Sequence, residues 1–396
     1  MADRIEELEQ KIAELRERLK QKNALLKKRK GKELKMRDER NNIRAELRVT
    51  QAKIAAAEAA LVECQRVWHS SQLLSEGQFL LRGGGKSPGG LQRWWRRQIH
   101  QWLAPRVWRA EMRLGVLHQH EPRPMIKEPL PARNEVMTLP SISVVTPSYN
   151  QAHFLERTLR SVLDQGYTPL EYVVMDGGSN DRSIDIIQRY AERLKYWQSE
   201  PDGGLSHALK VGFTHTKGEI MAWLNSDDML LPGTLDRVGR YFAKHPHVDV
   251  VYGHRILIQE QDQQIGRWVL PQHDAEFNRC VDYLPQETMF WRRSAFEKAG
   301  GIDTSFRFAV DWDLILRLQN SGAVFQRLPY FLGAFRVHEA QKSQAEIDSI
   351  GAEECLRLRA RELGQCFHEA MLPPQVVHFQ AKALLYDWLL SWGVRF

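Results

Sequence analysis

Over the first 68 residues apolar side chains return every three to four positions, and one heptad register holds for about nine repeats. The seam runs through Ile5, Leu8, Ile12, Leu15, Leu19 and Leu26, then through Ile43, Leu47, Ile54 and Leu61. Glu, Lys, Arg and Gln fill the flanking positions, so residues 1–68 are expected to form a coiled coil and the chain to pair with copies of itself through it. Lys22, Arg29, Glu33 and Arg40 stand on the seam, and Gly31 interrupts helix propensity. The middle of the coil is therefore a soft joint or a polar stretch that fixes register. A single helix lying on its own domain would leave one apolar side wet.

The pattern changes at Ser141. Short apolar runs near 142–146, 171–176, 196–199 and 219–224 read as strands, and amphipathic stretches near 151–165, 181–193, 205–214 and 232–244 as helices. Residues 248–290 are more strand-like, a helix follows near 311–321 and a strand near 324–332. This alternation predicts an α/β domain over residues 141–340. From Gln344 the pattern is helical, giving a C-terminal extension over 341–396 whose last helix is expected to dock on the core, with contact to a membrane as the alternative.

Residues 69–140 fit neither pattern. Arg82–Gly90 is glycine-rich and reads as a flexible linker. Leu91–Leu117 sets Trp94, Trp95, Trp102 and Trp108 among Arg93, Arg96, Arg97, Arg106, Arg109 and Arg113. Such a segment suits a membrane surface or packing on the α/β domain, with nucleic acid as a weaker third option. Residues 121–140 hold five prolines and read as a linker into the α/β domain.

Composition narrows the setting. With 43% hydrophobic and 27% charged residues in 396, the chain is that of a globular protein. The start lacks an apolar signal region, and no run approaches the roughly 18 apolar residues of a membrane span. Cys64, Cys280, Cys355 and Cys366 are far apart, which suits a reducing compartment. The expected place is the cytoplasm, with peripheral contact at the inner face of the membrane. A net charge of +7 favours an anionic partner without choosing one.

Candidate chemistry gathers at strand ends, where open α/β sheets bind ligands. The first strand ends in Thr146-Pro147-Ser148-Tyr149-Asn150, the second in Met175-Asp176-Gly177-Gly178-Ser179, the fourth in Leu224-Asn225-Ser226-Asp227-Asp228. A lone carboxylate after a strand is usually a cap, and Asp181 is expected to cap the helix that follows it. The adjacent Asp227 and Asp228 would repel unless a cation or hydrogen bonds offset their charge. Magnesium or manganese shared with substrate phosphates meets that need. Asp311 opens an amphipathic helix, where it is either a first-turn acid favoured by the helix dipole or a general base; Asp313 fits the structural part.

Taken together, these motifs resemble the family 2 glycosyltransferases over about residues 141–340. The resemblance implies the GT-A fold, Rossmann-like with a mostly parallel sheet and flanking helices, and an inverting enzyme of polysaccharide or cell-surface glycan synthesis. It implies that Pro147, Tyr149, Asn150, Asp176 and Gly177 bind the nucleotide, Tyr149 stacking on the base and Asp176 holding it. It makes Asp228 the direct ligand of Mn2+ or Mg2+, Asp227 a ribose or donor-sugar contact, and Asp311 the base. Gln286, in Pro285–Phe290, would line the donor and acceptor site. Arg336-Val337-His338 would reach back to the diphosphate and metal, with His338 as a further metal ligand. The implied partners are a nucleotide sugar, UDP-linked by resemblance, and a glycan or lipid-linked acceptor.

Two departures stand out. Val310 precedes Asp311 where the family usually has glutamate, and His207, Lys210 and Val211 replace residues that usually help bind the donor. They leave room for a second reading, a non-catalytic sugar-nucleotide-binding scaffold of a glycan-synthesis complex. A nucleic-acid-binding protein would leave the ordered carboxylates unexplained. A nucleotidyltransferase would need a glycine-rich signature with a basic residue near the first strand.

Overall fold

The computed structural model describes residues 14, 16, 17, 20, 117–131, 137–338, 341, 350–364, 372–391, 393 and 395. They fall into two units, Met1–Trp95 and Arg96–Phe396. In the first unit the four described residues are helical, with Lys20 Nζ 4.0 Å from Glu17. The rest of the predicted coiled coil, the glycine-rich linker and nearly all of the Trp/Arg stretch lie outside the described residues.

The second unit is an α/β domain. Its elements run β1 (Ile142–Ser148), α1 (Ala152–Leu163), β2 (Leu170–Asp176), α2 (Ser183–Tyr190), β3 (Tyr196–Ser199), α3 (Leu205–Thr214), β4 (Ile220–Trp223), β5 (Met229–Leu230) and α4 (Thr234–Lys244). Then come β6 (Val250–Ile258), β7 (Gln264–Trp268), α5 (Ala275–Asn278), β8 (Phe290–Arg292), α6 (Arg293–Lys298), α7 (Val310–Asn320), β9 (Phe325–Arg336), α8 (Ala352–Leu363) and α9 (Leu372–Ser391). Two 3-10 turns are among the described elements, Ala191–Arg193 after α2 and Gln286–Thr288 just before β8.

The strands form one sheet in the order β3-β2-β1-β4-β8-β6-β9-β5, with β7 beside β6. The expected mostly parallel sheet is in fact mixed. β1–β2, β1–β4, β2–β3 and β6–β9 are parallel, whereas β4–β8, β6–β8, β6–β7 and β5–β9 are antiparallel. The parallel half corresponds to the regular strand-helix alternation. Residues 248–336 break that alternation: β6 and β7 form an antiparallel hairpin, and β8 runs antiparallel to both β4 and β6, while β9 returns parallel to β6 after α6 and α7.

Both faces of the sheet are covered, so its inner strands are buried on both sides rather than alternating. β1 is buried along its whole length. Ile142 and Val144 join Leu155 and Leu159 of α1, Ile187 of α2 and Val238 of α4 on one face. Val145 points the other way, into a core with Leu209 of α3, Trp312 of α7, Leu358 of α8 and Phe379 of α9. The last helix docks there as expected, the Phe379 ring stacking on Phe277 at 4.2 Å. Gly212 lets α3 come close, since a Cβ there would stand 2.6 Å from Val145 Cγ1.

The proline-rich stretch behaves as a strap. Gln119 and Arg123 bond to the backbone of β7, and Gln264 N returns a bond to Arg123 O at 2.8 Å. Met125 and Ile126 pack on Ile256, Val269 and Phe331. Glu128 accepts from Phe331 N at 3.0 Å and pairs with Arg395 at 2.7 Å. These partners come from strands more than a hundred residues away, which local sequence pattern cannot reveal.

Candidate functional site

Parallel register brings the polar strand ends to one edge. Ser148 pairs with Asp176 and Asp176 with Ser199, while Val145 pairs with Trp223, so the Asp227 turn leaves at that edge too. The Asp176 carboxylate is only 3% exposed. It accepts from Ser179 N at 2.8 Å, Ser179 Oγ at 2.6 Å and Ser199 Oγ at 2.7 Å. In this arrangement Asp176 shapes the glycine loop after β2, and a nucleotide base would reach it by replacing one of those donors.

Asn150 takes a left-handed backbone, φ 52°, which asparagine tolerates better than most residues. Its N–H donates to Ser179 Oγ at 2.7 Å and its Oδ1 accepts from Asn180 N at 2.9 Å. This turn exposes Tyr149, 60% accessible, beside Gly177, where a Cβ would sit 3.4 Å from the tyrosine ring. Pro147 is buried in β1 opposite Met175, so it acts through the strand rather than as a contact surface. Asp181 caps two helices, accepting from Ala152 N and Ser183 N at 2.9 Å each.

The Asp227–Asp228 turn is held from two sides. From α1, the Thr158 hydroxyl lies 2.9 Å from Ser226 O and 2.7 Å from Asp228 O. From the end of β9, Arg336 N donates to Asp228 Oδ1 at 2.9 Å and Arg336 Nε to Asp227 O at 2.7 Å. The same guanidinium reaches Gln259 O, Glu260 O and the Asp262 carboxylate, tying the β6–β7 hairpin to the turn. His338 Nε2 donates to Asp227 Oδ2 at 3.1 Å, so it meets the acidic pair at Asp227 rather than at Asp228. Its ring packs on Phe154, centroids 4.6 Å apart.

Asp228 is almost wholly buried, at 2% exposed. Burial, the Asp227 charge and the Glu287 charge push its carboxyl well above the usual range. A bound cation would reverse that penalty. Among the described residues no three His, Cys, Asp or Glu side chains cluster to hold a metal by themselves. The residues thus fit a cation held by Asp228 with most remaining positions filled by substrate oxygens, the usual way magnesium is bound.

Sequence reasoning missed what lies beyond this turn. Arg255 of β6 forms a buried, two-bond ion pair with Glu287, Nε to Oε1 at 2.7 Å and Nη2 to Oε2. Gly333 of β9 makes room, since a Cβ there would lie 2.7 Å from Glu287 Cγ. The signal was an arginine inside the otherwise uncharged run Val250–Ile258, a placement that demands a buried counter-ion. Gln286 donates to Trp223 O at 2.8 Å, latching this segment to β4, while its buried Oε1 has no protein partner.

Asp311 begins α7 and accepts from Trp312 N at 2.9 Å. Burial raises its carboxyl above the usual range; hydrogen bonding and Arg255 oppose the rise, and Glu287 adds to it. Asp282, which the sequence did not single out, is raised further by burial and by Asp311. Asp282 nevertheless reaches solvent and Asp311 is half-buried. Asp313 is structural as expected, fully buried between Arg317 and Arg361.

The model of the family "Glycosyl transferase family 2" matches residues 143–298. An uncharacterized glycosyltransferase of Mycobacterium tuberculosis is 31% identical over 184 residues, 45% of this chain and 68% of that protein. A PGL/p-HBAD biosynthesis glycosyltransferase of Mycobacterium bovis is 30% identical over 196 residues, 48% of this chain and 74% of that protein. The crystal structure of S. aureus TarS 1-349 in complex with UDP-GlcNAc superposes with a TM-score of 0.47 at 19% identity, covering 63% of this chain and 73% of that one. The mannosyltransferase PcManGT from Pyrobaculum calidifontis, in complex with GDP-Man and Mn2+, gives 0.46 at 20% identity, covering 75% and 82%.

Proposed function

The chain belongs to glycosyl transferase family 2 and is an enzyme, and from that premise we propose that it transfers a sugar from a nucleoside diphosphate, UDP in the first instance, to a hydroxyl of a glycan or lipid-linked acceptor with inversion. The observation that carries this reading is electrostatic. Asp228 and Asp311 lie in different elements, yet both are within reach of the one Arg255–Glu287 ion pair. That relation supports a metal-type acid and a base-type acid serving one cleft in a GT-A arrangement.

In this mechanism Tyr149 stacks on the nucleotide base and Gly177 lets it approach the sheet edge. Asp227 contacts the ribose or donor sugar, and Gln286 Oε1 accepts from a sugar hydroxyl. Asp311 removes the acceptor's proton, and the acceptor oxygen attacks the anomeric carbon opposite the leaving group. The carbon–oxygen bond to the diphosphate breaks with its electron pair, and configuration inverts. Mn2+ or Mg2+ on Asp228 would neutralise charge on the diphosphate, with Arg336 and His338 orienting the acidic pair. Positioning and electrostatics supply most of the acceleration.

No helix among the described residues is long and apolar enough to cross a membrane. We read the enzyme as cytoplasmic, joined to copies of itself by the coiled coil and resting on the membrane through the Trp/Arg stretch.

The test is a panel of nucleotide sugars with Mn2+ or Mg2+, scored by released nucleoside diphosphate. Turnover of one donor, dependent on metal and lost in Asp228→Ala and Asp311→Asn, is the expected result. Failure to bind any sugar nucleotide, with or without metal, would overturn the reading.

A further inference from the structure

We propose that Asp262, at the tip of the β6–β7 hairpin, is a positioning residue for the acidic turn after β4. Its carboxylate joins the two arms that hold Asp227 and Asp228 into one closed frame, and so sets the affinity of the turn for its cation. The inference rests on the reading of Asp228 as the residue that holds Mn2+ or Mg2+.

One arm is α1. Its Thr158 hydroxyl contacts the carbonyls of Ser226 and Asp228, and the preceding residue, Arg157, reaches the hairpin instead. Arg157 Nη1 donates to Glu260 O at 2.6 Å and to Asp262 Oδ1 at 3.1 Å. The other arm is the end of β9. Arg336 bonds to Asp228 Oδ1 and Asp227 O with its N–H and Nε, and its Nη1 meets Glu260 O at 3.1 Å and Asp262 Oδ1 at 2.5 Å. Both guanidinium groups thus end on the same carboxylate oxygen and the same carbonyl. The ring of contacts runs from Asp262 through Arg157 and Thr158 to the acidic turn, and back through Arg336.

The hairpin tip is shaped for this contact. Asp262 takes a left-handed backbone, φ 62°, a region that aspartate enters more readily than most side chains. Its N–H donates to Gln259 O at 3.0 Å, and Gln259 N donates to Gln263 O at 2.9 Å, which closes the turn. Phe154 fills the centre of the frame. The Arg157 and Arg336 guanidinium carbons lie 5.4 and 4.9 Å from its ring centroid, and the His338 ring that bonds Asp227 lies 4.6 Å away.

Charge explains why a carboxylate is needed at the tip. Two cations converge there, one of them the fully buried Arg336. Without Asp262 they would meet at a carbonyl alone and repel. Arg336 would give way, and with it the bonds that aim Asp228. A small cation of the Mg2+ type demands near-ideal ligand geometry, so a shifted carboxylate lowers affinity even when it is still present. Asp262 itself is 27% exposed, so replacing it disturbs the frame without opening the core.

The experiment uses the full chain and reads Mn2+ binding directly, from loss of the electron paramagnetic resonance of the free ion, with Mn2+ alone and with UDP added. Asp262→Gly suits the left-handed backbone and removes the carboxylate. Its Kd for Mn2+ should rise about tenfold or more, the usual cost of losing a residue that orients a metal ligand. Asp262→Asn keeps an oxygen acceptor without the charge and should give a smaller rise. In turnover of the donor hydrolysed fastest in the panel, the Mn2+ concentration for half-maximal rate should rise by more than kcat falls. Arg157→Met added to Asp262→Gly should raise Kd by no more than about a further twofold, because both break one frame. A Kd for Asp262→Gly within about twofold of the unaltered protein overturns the proposal, whatever its melting temperature, as does a full additive effect of Arg157→Met. Asp228→Ala separates the two readings. Weakened Mn2+ binding there, with Asp262→Gly unaffected, sinks the proposal alone; undiminished binding in Asp228→Ala refutes the metal reading and the proposal with it.

Discussion

The backbone N–H of Arg336 donates to Asp228 Oδ1 at 2.9 Å while its own side chain donates to Asp227 O at 2.7 Å. One residue at the end of β9 thus grips both members of the acidic pair at the end of β4. Its side chain is wholly buried and pairs with Asp262 on the β6–β7 hairpin. Removing one partner of such a pair leaves an uncompensated charge and several unpaired carbonyls. Arg336→Met should therefore cost about 3–5 kcal/mol of stability. Urea or thermal unfolding would measure it, and a loss under about 1 kcal/mol would mean the clamp is dispensable.

Asp228 makes stability depend on pH and metal in a defined direction. Its folded-state carboxyl titrates well above the usual range because of burial, Asp227 and Glu287. The folded state therefore binds more protons than the unfolded state, and stability falls as pH rises above the ordinary aspartate value of about 3.9. Asp228→Asn should flatten that fall and melt at a higher temperature in metal-free buffer above neutral pH. Mn2+ together with UDP should raise the melting temperature of the natural protein but not of this variant. A variant that melts lower in metal-free buffer would show that the charge is already compensated.

How much of this was legible in the sequence follows from what each feature depends on. The α/β domain, the shared edge of β1, β2 and β4, and Asp181 as a cap are local matters of period and turn chemistry. Arg255 with Glu287, Asp282 with Asp311, and the strap over β7 join residues far apart in the chain. Pairings of that kind are set by packing, and only the buried arginine left a trace in the residue pattern. The mixed sheet was missed for a related reason: a short apolar run gives a strand but not its direction.

Tyr149 separates binding from folding. Its ring is 60% exposed and its nearest described neighbour is the glycine loop, so truncation removes little packing. Tyr149→Ala should change stability by about 0.5 kcal/mol or less. Stacking of a base on an aromatic ring is worth about 1–3 kcal/mol, so affinity for UDP should drop roughly 5- to 150-fold. Calorimetric titration with UDP would decide. Unchanged affinity would place the base elsewhere on the sheet edge.

The Arg255–Glu287 pair allows stability and activity to be pulled apart. Both side chains are nearly inaccessible, at 10% and 1%. Arg255→Met alone strands a buried carboxylate and should cost about 3–5 kcal/mol. Replacing both, Arg255→Met with Glu287→Leu, removes the stranded charge, and most of that loss should return. Activity should not return with it. Arg255 lowers, and Glu287 raises, the carboxyls of both Asp228 and Asp311, so the apolar pair leaves the two acids without the charges that set their protonation. Unfolding midpoints compared with kcat for the single and double variants provide the measurement. A double variant that is both stable and fully active would show that the ion pair serves the fold alone.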